Sequence, residues 1–210
     1  MIRNRYLYSG ESSTTVASFN ASVNKQSTYW STDAARAVAQ LAKKHYIAEQ
    51  QHLCCYCGLP DPSTHGLDWD IEHVVAQKPH PEFMFTSENL AVACKECNTA
   101  KGMTESLVDP SVTVYPGSSD DFHLVHPHFD EWSDHILRDH LVYAAWTPKG
   151  TWTIRECGLG RFASRSVGMR YPISDERYET DVRRLLKDGV GLQEIVDKLK
   201  DIEAAAGTID

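Results

Sequence analysis

Positive charge is scarce in this chain: 21 Lys and Arg stand against 29 Asp and Glu, a formal net charge of −8 over 210 residues. The deficit is spread along the sequence. Up to Pro110 there are 9 basic and 12 acidic residues, and from Ser111 onward 12 and 17. Neither half offers the broad positive field that drives nonspecific attachment to a polyanion through counterion release. The local exception is Arg155, Arg161, Arg165 and Arg170, which face only Glu156 before Pro172. That segment is either solvated, paired with a partner, or in contact with phosphate. Long apolar runs are missing too, so no stretch has the length of a membrane span. Arg3 and Arg5 are not followed by an apolar stretch, so a cytoplasmic protein without a secretory leader is expected. Internal repeats are absent. What remains is ordinary for a globular chain, with 41% hydrophobic and 24% charged residues. The length suits one domain or two small ones.

Cysteine is also sparse, but its placement is informative. Six cysteines make a weak disulfide framework for this length, and four of them form two C-x-x-C pairs, Cys54/Cys57 and Cys94/Cys97. Each spacing lets one tight turn present two thiolates to one ion, so a tetrahedral structural Zn²⁺ is the reading and a reducing compartment follows. Cys55 could replace Cys54 only by shortening the spacing to C-x-C, so Cys54 is preferred. Cys157 reads as an ordinary core or surface thiol.

Local patterns give the elements. Residues 1–28 are polar and weakly periodic, and read as an arm or irregular cover. Ser31 or Thr32 can cap a helix over about 33–51, with Ala34, Val38, Leu41, His45 and Ala48 on one face. A strand is expected toward Val75, a loop through Pro79 and Pro81, a strand over 90–93 and a helix over 94–103. Beyond Pro110 the pattern suggests a short strand at 122–125, a helix at about 131–139, and a hairpin pairing 141–146 with 151–155. Helices are expected at about 174–187 and 191–205. The fold class is α+β: a ββα metal core clamped by four cysteines, with an N-terminal helix and a mixed helix and hairpin C-terminal extension. The expected divisions are 1–44, 45–110 and 111–210, the last a candidate partner-binding region.

Between the cysteine pairs lie groups suited to phosphodiester hydrolysis. Such a site needs a cation to neutralise phosphate, a base to take a proton from water, and a brace for the base. Glu72 is a hard oxygen ligand, and its neighbour His73 can accept a proton near neutral pH. Adjacent strand residues point to opposite faces, so both reach one site only where the strand ends or bends. Asn98 follows a clamp cysteine, Asn89 can bridge the loop, and Lys101 is available for a phosphate. His80 could touch phosphate or simply be exposed. His123, His126, His128, His135 and His140, with Asp130 and Asp134, invite a second metal site without a known ligand spacing. Trp132, Trp146 and Trp152 read as core or interface residues.

The runs Cys54-Cys55-Tyr56-Cys57-Gly58, Ile71-Glu72-His73-Val74-Val75, Ser87-Glu88-Asn89-Leu90 and Cys94-Lys95-Glu96-Cys97-Asn98, with Lys101-Gly102, closely resemble the HNH endonuclease motif. Sixteen residues separate His73 from Asn89 and nine separate Asn89 from Asn98, as suits that family. The resemblance implies His73 as general base, Asn89 as the brace of its loop, and Glu72 and Asn98 as ligands of one Mg²⁺ or Mn²⁺. It also implies a nucleic acid substrate, DNA before RNA. The last motif position is Asn rather than His, which makes the ligand pair all oxygen. A looser similarity, through Pro127-His128-Phe129-Asp130 and Lys149-Gly150-Thr151-Trp152, is to PtuB-like HNH nucleases of Septu and retron anti-phage systems. That similarity implies an ATPase partner of the PtuA type. A zinc-stabilised adaptor without catalysis is the alternative reading.

Overall fold

The computed structural model describes residues 2–60 and 69–166, together with scattered positions between 180 and 201. The chain divides into two compact units, Met1–Asp130 and Glu131–Asp210. No helix among the described residues is long and apolar enough to cross a membrane.

The first unit is built on a ββα element. Strands β1 (Trp69–His73) and β2 (Leu90–Cys94) pair antiparallel, with Trp69 opposite Cys94 and His73 opposite Leu90. Helix α3 (Lys95–Lys101) follows β2 directly, with Cys94 as its N-cap. The fold is thus a mixed helix and strand structure around this element. Among the described residues β1 pairs on one side only. Its other edge has no strand partner among the described residues.

Two helices buttress this element. Helix α2 (Asp33–Glu49) starts at Thr32, whose side chain accepts a hydrogen bond from the Ala35 amide at 3.2 Å. Its buried face is Ala35, Val38, Ala42 and Tyr46, one residue round from the expected stripe, and Leu41 is exposed. Small side chains on this face let the helix approach β2 closely, and Tyr46 donates its hydroxyl to the Ser87 carbonyl at 2.8 Å. At the C-terminal end of α2 the Gln50 side chain acts as a surrogate strand. Its Oε1 accepts from the Val92 amide, and its Nε2 donates to the Val92 and Leu53 carbonyls, each at 2.8 Å. These bonds hold Gln51 and His52 at positive φ, a costly conformation for residues other than glycine. They also swing the chain into the first cysteine pair.

Residues 1–28 are a correction to the sequence reading, which made them an irregular arm. They contain α1 (Gly10–Ala21). Its only buried positions are Ser12, Val16 and Phe19, too few to give a visible helical period. Phe19 joins Val38, Met84 and Phe85 in a core cluster, against which Tyr29 and Trp30 pack.

The second unit differs from expectation as well. The hairpin is β3 (Ile136–Asp139) with β4 (Val142–Ala145), joined by His140 and Leu141, where His140 has the positive φ of a II′-type turn. Residues 148–156 are helix α4, not a strand: Thr147 caps it through the Gly150 amide and Pro148 occupies its first turn. A short 3₁₀ turn at Trp132–Asp134 stands where a longer helix was expected. Helix α5 covers Gly160–Ser166. Residues 122–125 form no strand beyond a single bridge between Leu107 and Phe122. The helices expected at 174–187 and 191–205 lie largely outside the described residues.

Candidate active site

The metal clamp comes first, because it fixes α3 to the preceding loop. The sulfurs of Cys54, Cys57, Cys94 and Cys97 lie within 4.8 Å of one another. That spacing suits one tetrahedral ion with bonds of about 2.3 Å to sulfur. The turn is closed by the Gly58 amide on the Cys54 carbonyl at 2.9 Å, with Gly58 at φ 63°. The Cys94 amide also donates to the Cys54 sulfur at 3.4 Å. Burial raises the Cys54 thiol, but hydrogen bonds from Cys55 and the other three clamp cysteines outweigh it and hold the group well below its usual range. The thiols of Cys57 and Cys97 are pushed up, first by their hydrogen bonds with Cys54. Four sulfur donors held this closely fit zinc, which when bound would take all four as thiolates. Among the described residues this is the only such metal-ligating cluster.

Four of the five histidines of 123–140 have partners of their own. His126 stacks on Phe129 and meets the Tyr115 hydroxyl at 2.9 Å, while His128 binds the Leu90 carbonyl at 2.8 Å. His135 contacts the Thr147 hydroxyl, and His140 sits against Asp139. His80 is buried between Glu82 and Glu105 and stacked on Phe83.

The acid–histidine pair lies on a cleft of about 830 Å³. Four successive β1 residues, Asp70, Ile71, Glu72 and His73, all line it. Side chains from both faces of a strand can share one cleft when the cleft runs along an unpaired edge. Glu72 and His73 thus reach one cleft although they are adjacent on the strand.

His73 is 8% exposed. Its Nε2 lies 3.1 Å from the Met84 carbonyl. A carbonyl only accepts, so Nε2 carries the proton and Nδ1 keeps its lone pair. Burial, opposed by that hydrogen bond and reinforced by the Lys101 charge, lowers its pKa to about 4. The ring is therefore neutral at pH 7. Trp30 meets it edge-on at 4.6 Å between ring centroids.

Asn89 is fully buried and ties the loop after β1 to β2. Its Oδ1 accepts from the Val75 amide at 2.7 Å, and its Nδ2 donates to the Val75 and Phe83 carbonyls at 3.1 and 3.0 Å. The second of these sits one residue from Met84, the partner of His73.

Glu72 is 1% exposed, and its Oε1 takes both the Tyr56 hydroxyl at 2.9 Å and the Lys101 ammonium at 2.6 Å. Burial raises its pKa, while Lys101 and Tyr56 oppose that rise. Lys101, offered to a phosphate by the sequence reading, has its ammonium on Glu72 and on the His73 carbonyl at 3.0 Å, with 1% exposure. Asn98 donates its Nδ2 to an Asp70 carboxylate oxygen at 3.0 Å, which leaves its Oδ1 for another partner. Glu72 Oε2, Asn98 Oδ1 and the Asp70 carboxylate are hard oxygens of the kind that suit Mg²⁺ or Mn²⁺.

Sequence reasoning did not single out three contributors: Asp70, Tyr56 and Trp30. Asp70 had a detectable signal, since it stands two residues before Glu72 and so shares its strand face. Residues 54–104 match the family model of the HNH endonuclease, so the chain contains an HNH domain. A comparison with curated proteins finds no match.

Proposed function

We propose that this protein is a metal-dependent endonuclease that hydrolyses phosphodiester bonds of nucleic acid, foremost DNA, in the cleft beside β1. The observation that supports this best is the neutral His73, its proton fixed on Nε2, in a cleft shared with hard-oxygen side chains inside an HNH domain. His73 Nδ1 takes a proton from a water as that water's oxygen bonds to phosphorus and the bond from phosphorus to the 3′ oxygen breaks. The products are a 5′-phosphate and a 3′-hydroxyl, the leaving oxygen taking its proton from solvent. Met84 and Asn89 keep the imidazole still, and Trp30 shields it from bulk water. Glu72 and Asn98, with Asp70 at their side, would hold a Mg²⁺ or Mn²⁺, which when bound neutralises charge on the phosphate and the leaving oxygen. Lys101 opposes the rise that burial imposes on the Glu72 pKa. The zinc of the four cysteines is structural.

Within this reading the chain acts as the effector of a bacterial anti-phage system with an ATPase partner. The acidic surface supports a partner that supplies positive charge, and residues 131–210 lie outside the HNH match. The test uses supercoiled plasmid with Mg²⁺ or Mn²⁺, with and without an ATPase encoded beside the gene. His73→Ala is expected to lower cleavage by about 10²–10⁴-fold. Equal cleavage by wild type and His73→Ala would end the catalytic reading. Loss of function in Cys94→Ser but not in Glu72→Ala would instead mean an adaptor.

A further inference from the structure

We propose that the side-chain amide of Gln77 orients the attacking water, its Oε1 accepting the hydrogen that His73 does not take. This rests on the nuclease reading and adds to it a second residue that touches the nucleophile. Gln77 lines the same cleft as His73 and follows it by four residues. Its Oε1 is buried and has no hydrogen-bond partner. Among the described residues Tyr8, Trp69 and Arg183 carry a buried side-chain atom in the same state, and of the four only Gln77 lines the cleft. A buried acceptor without a donor is costly, and folded proteins keep few of them without a use.

The backbone gives this amide a fixed base. Val75 is held at both its polar groups, the amide by Asn89 Oδ1 and the carbonyl by Asn89 Nδ2. The Ala76 carbonyl accepts from the His80 amide at 3.2 Å, which closes the turn at 77–79. Gln77 therefore leaves a pinned segment, while its side-chain oxygen is tied to nothing. The last torsion of a glutamine is broad and two-fold. A half-turn exchanges the inward oxygen for the nitrogen and brings the oxygen round toward the cleft. That motion breaks no hydrogen bond of Oε1.

The chemistry needs such an acceptor. As the water's oxygen bonds to phosphorus, one hydrogen passes as a proton to His73 Nδ1. The other stays on the oxygen, and a group that accepts it fixes the direction of the lone pair aimed at phosphorus. The nearby backbone is engaged, because each carbonyl from His73 to Ala76 already takes a hydrogen bond. The donors are Lys101, Ser106, Asn89 and His80 in turn. The oxygens of Asp70, Glu72 and Asn98 are the ones suited to the cation. Gln77 Oε1 has neither duty. The sugar–phosphate chain of DNA lacks the 2′-hydroxyl donor of RNA, so an acceptor beside its phosphate has the water as its partner.

The experiment compares wild type, Gln77→Met, Gln77→Glu and His73→Ala, with kcat and KM taken from initial rates on plasmid DNA in Mg²⁺. Methionine keeps the length and lacks the acceptor, whereas glutamate keeps the acceptor and lacks the amide donor. Gln77→Met should lower kcat about 10–100-fold and leave KM within about threefold. Gln77→Glu should keep kcat within about fivefold of wild type, its loss falling on KM because its charge meets the phosphate. Methionine also removes the unpaired buried oxygen, so zinc-loaded Gln77→Met should melt at or above the wild-type temperature. A lower melting temperature would mean that the amide holds the fold, and would overturn the proposal. So would full kcat in Gln77→Met beside an inactive His73→Ala. A Gln77→Glu no more active than Gln77→Met would overturn it too, by making the amide a donor to phosphate. Failure of the nuclease reading looks different: His73→Ala cleaves as wild type does, or neither cleaves, and both proposals end together.

Discussion

His73 shows how burial and one carbonyl turn a residue of ordinary basicity into a neutral group at physiological pH. Its folded pKa of about 4 lies below the ordinary value of 6.5. The unfolded chain therefore binds the proton more readily. The stability from this neutral burial is complete above about pH 6.5 and is lost as pH falls toward about 4. Between pH 7 and pH 5 the loss from this group is on the order of 2 kcal/mol. Urea melts of zinc-loaded wild type and His73→Asn at both pH values should show the steeper loss in wild type, and parallel losses would contradict the burial. Asp70 acts at the same scale through Asn98. Asp70→Ala removes the acceptor that fixes the amide, and cation affinity should fall about 10–100-fold when followed by Mn²⁺ binding. Removing Lys101 leaves a buried carboxylate unmatched, so Lys101→Met should cost about 3–5 kcal/mol in a thermal or urea melt. A lysine that only touched phosphate would leave stability unmoved. The motif pointed to His73, Glu72, Asn89 and Asn98, but not to what each one touches. Trp30 could not be found from sequence spacing, because it reaches His73 through the packing of α1 and the turn at 27–31.

Secondary-structure elements differ in how plainly the sequence announces them. The strands and helix of the ββα element were legible because cysteine spacing, prolines and a short apolar run all mark the same boundaries. Helix α1 was not, since Val16 and Phe19 are its only buried apolar side chains. The second hairpin was displaced because Thr151–Arg155 has the β-branched residues of a strand, while the capping of α4 by Thr147 and Pro148 decides for helix. Gly150 records the same outcome. A Cβ there would lie 2.1 Å from the His135 carbonyl oxygen. Backbone of α4 and of the residue preceding β3 thus meet with no room between them. Gly150→Ala should destabilise the protein by about 1–3 kcal/mol or more in a thermal melt, despite the better helix propensity of alanine. A neutral or stabilising result would mean that the two segments separate freely.

Across the whole molecule, the distribution of a small number of cations matters more than their total. A chain of net charge −8 repels polyanions at long range, so any attraction has to come from few cations. Cleavage by the isolated protein below saturation should therefore respond to salt weakly for a nuclease. Contact with three phosphates of a duplex gives a slope of about −2.7, a fall of roughly 40-fold in kcat/KM between 50 and 200 mM salt. An enzyme that contacts six to ten phosphates would lose about 10³–10⁵ over the same range. If an ATPase partner supplies the missing positive surface, the same titration with the partner present should steepen and start from a higher rate at low salt. Initial rates on plasmid at four salt concentrations, with and without the partner, separate these cases. Identical slopes in both series would show that the added protein brings no charge to the substrate, and that the chain's own cations alone govern the encounter.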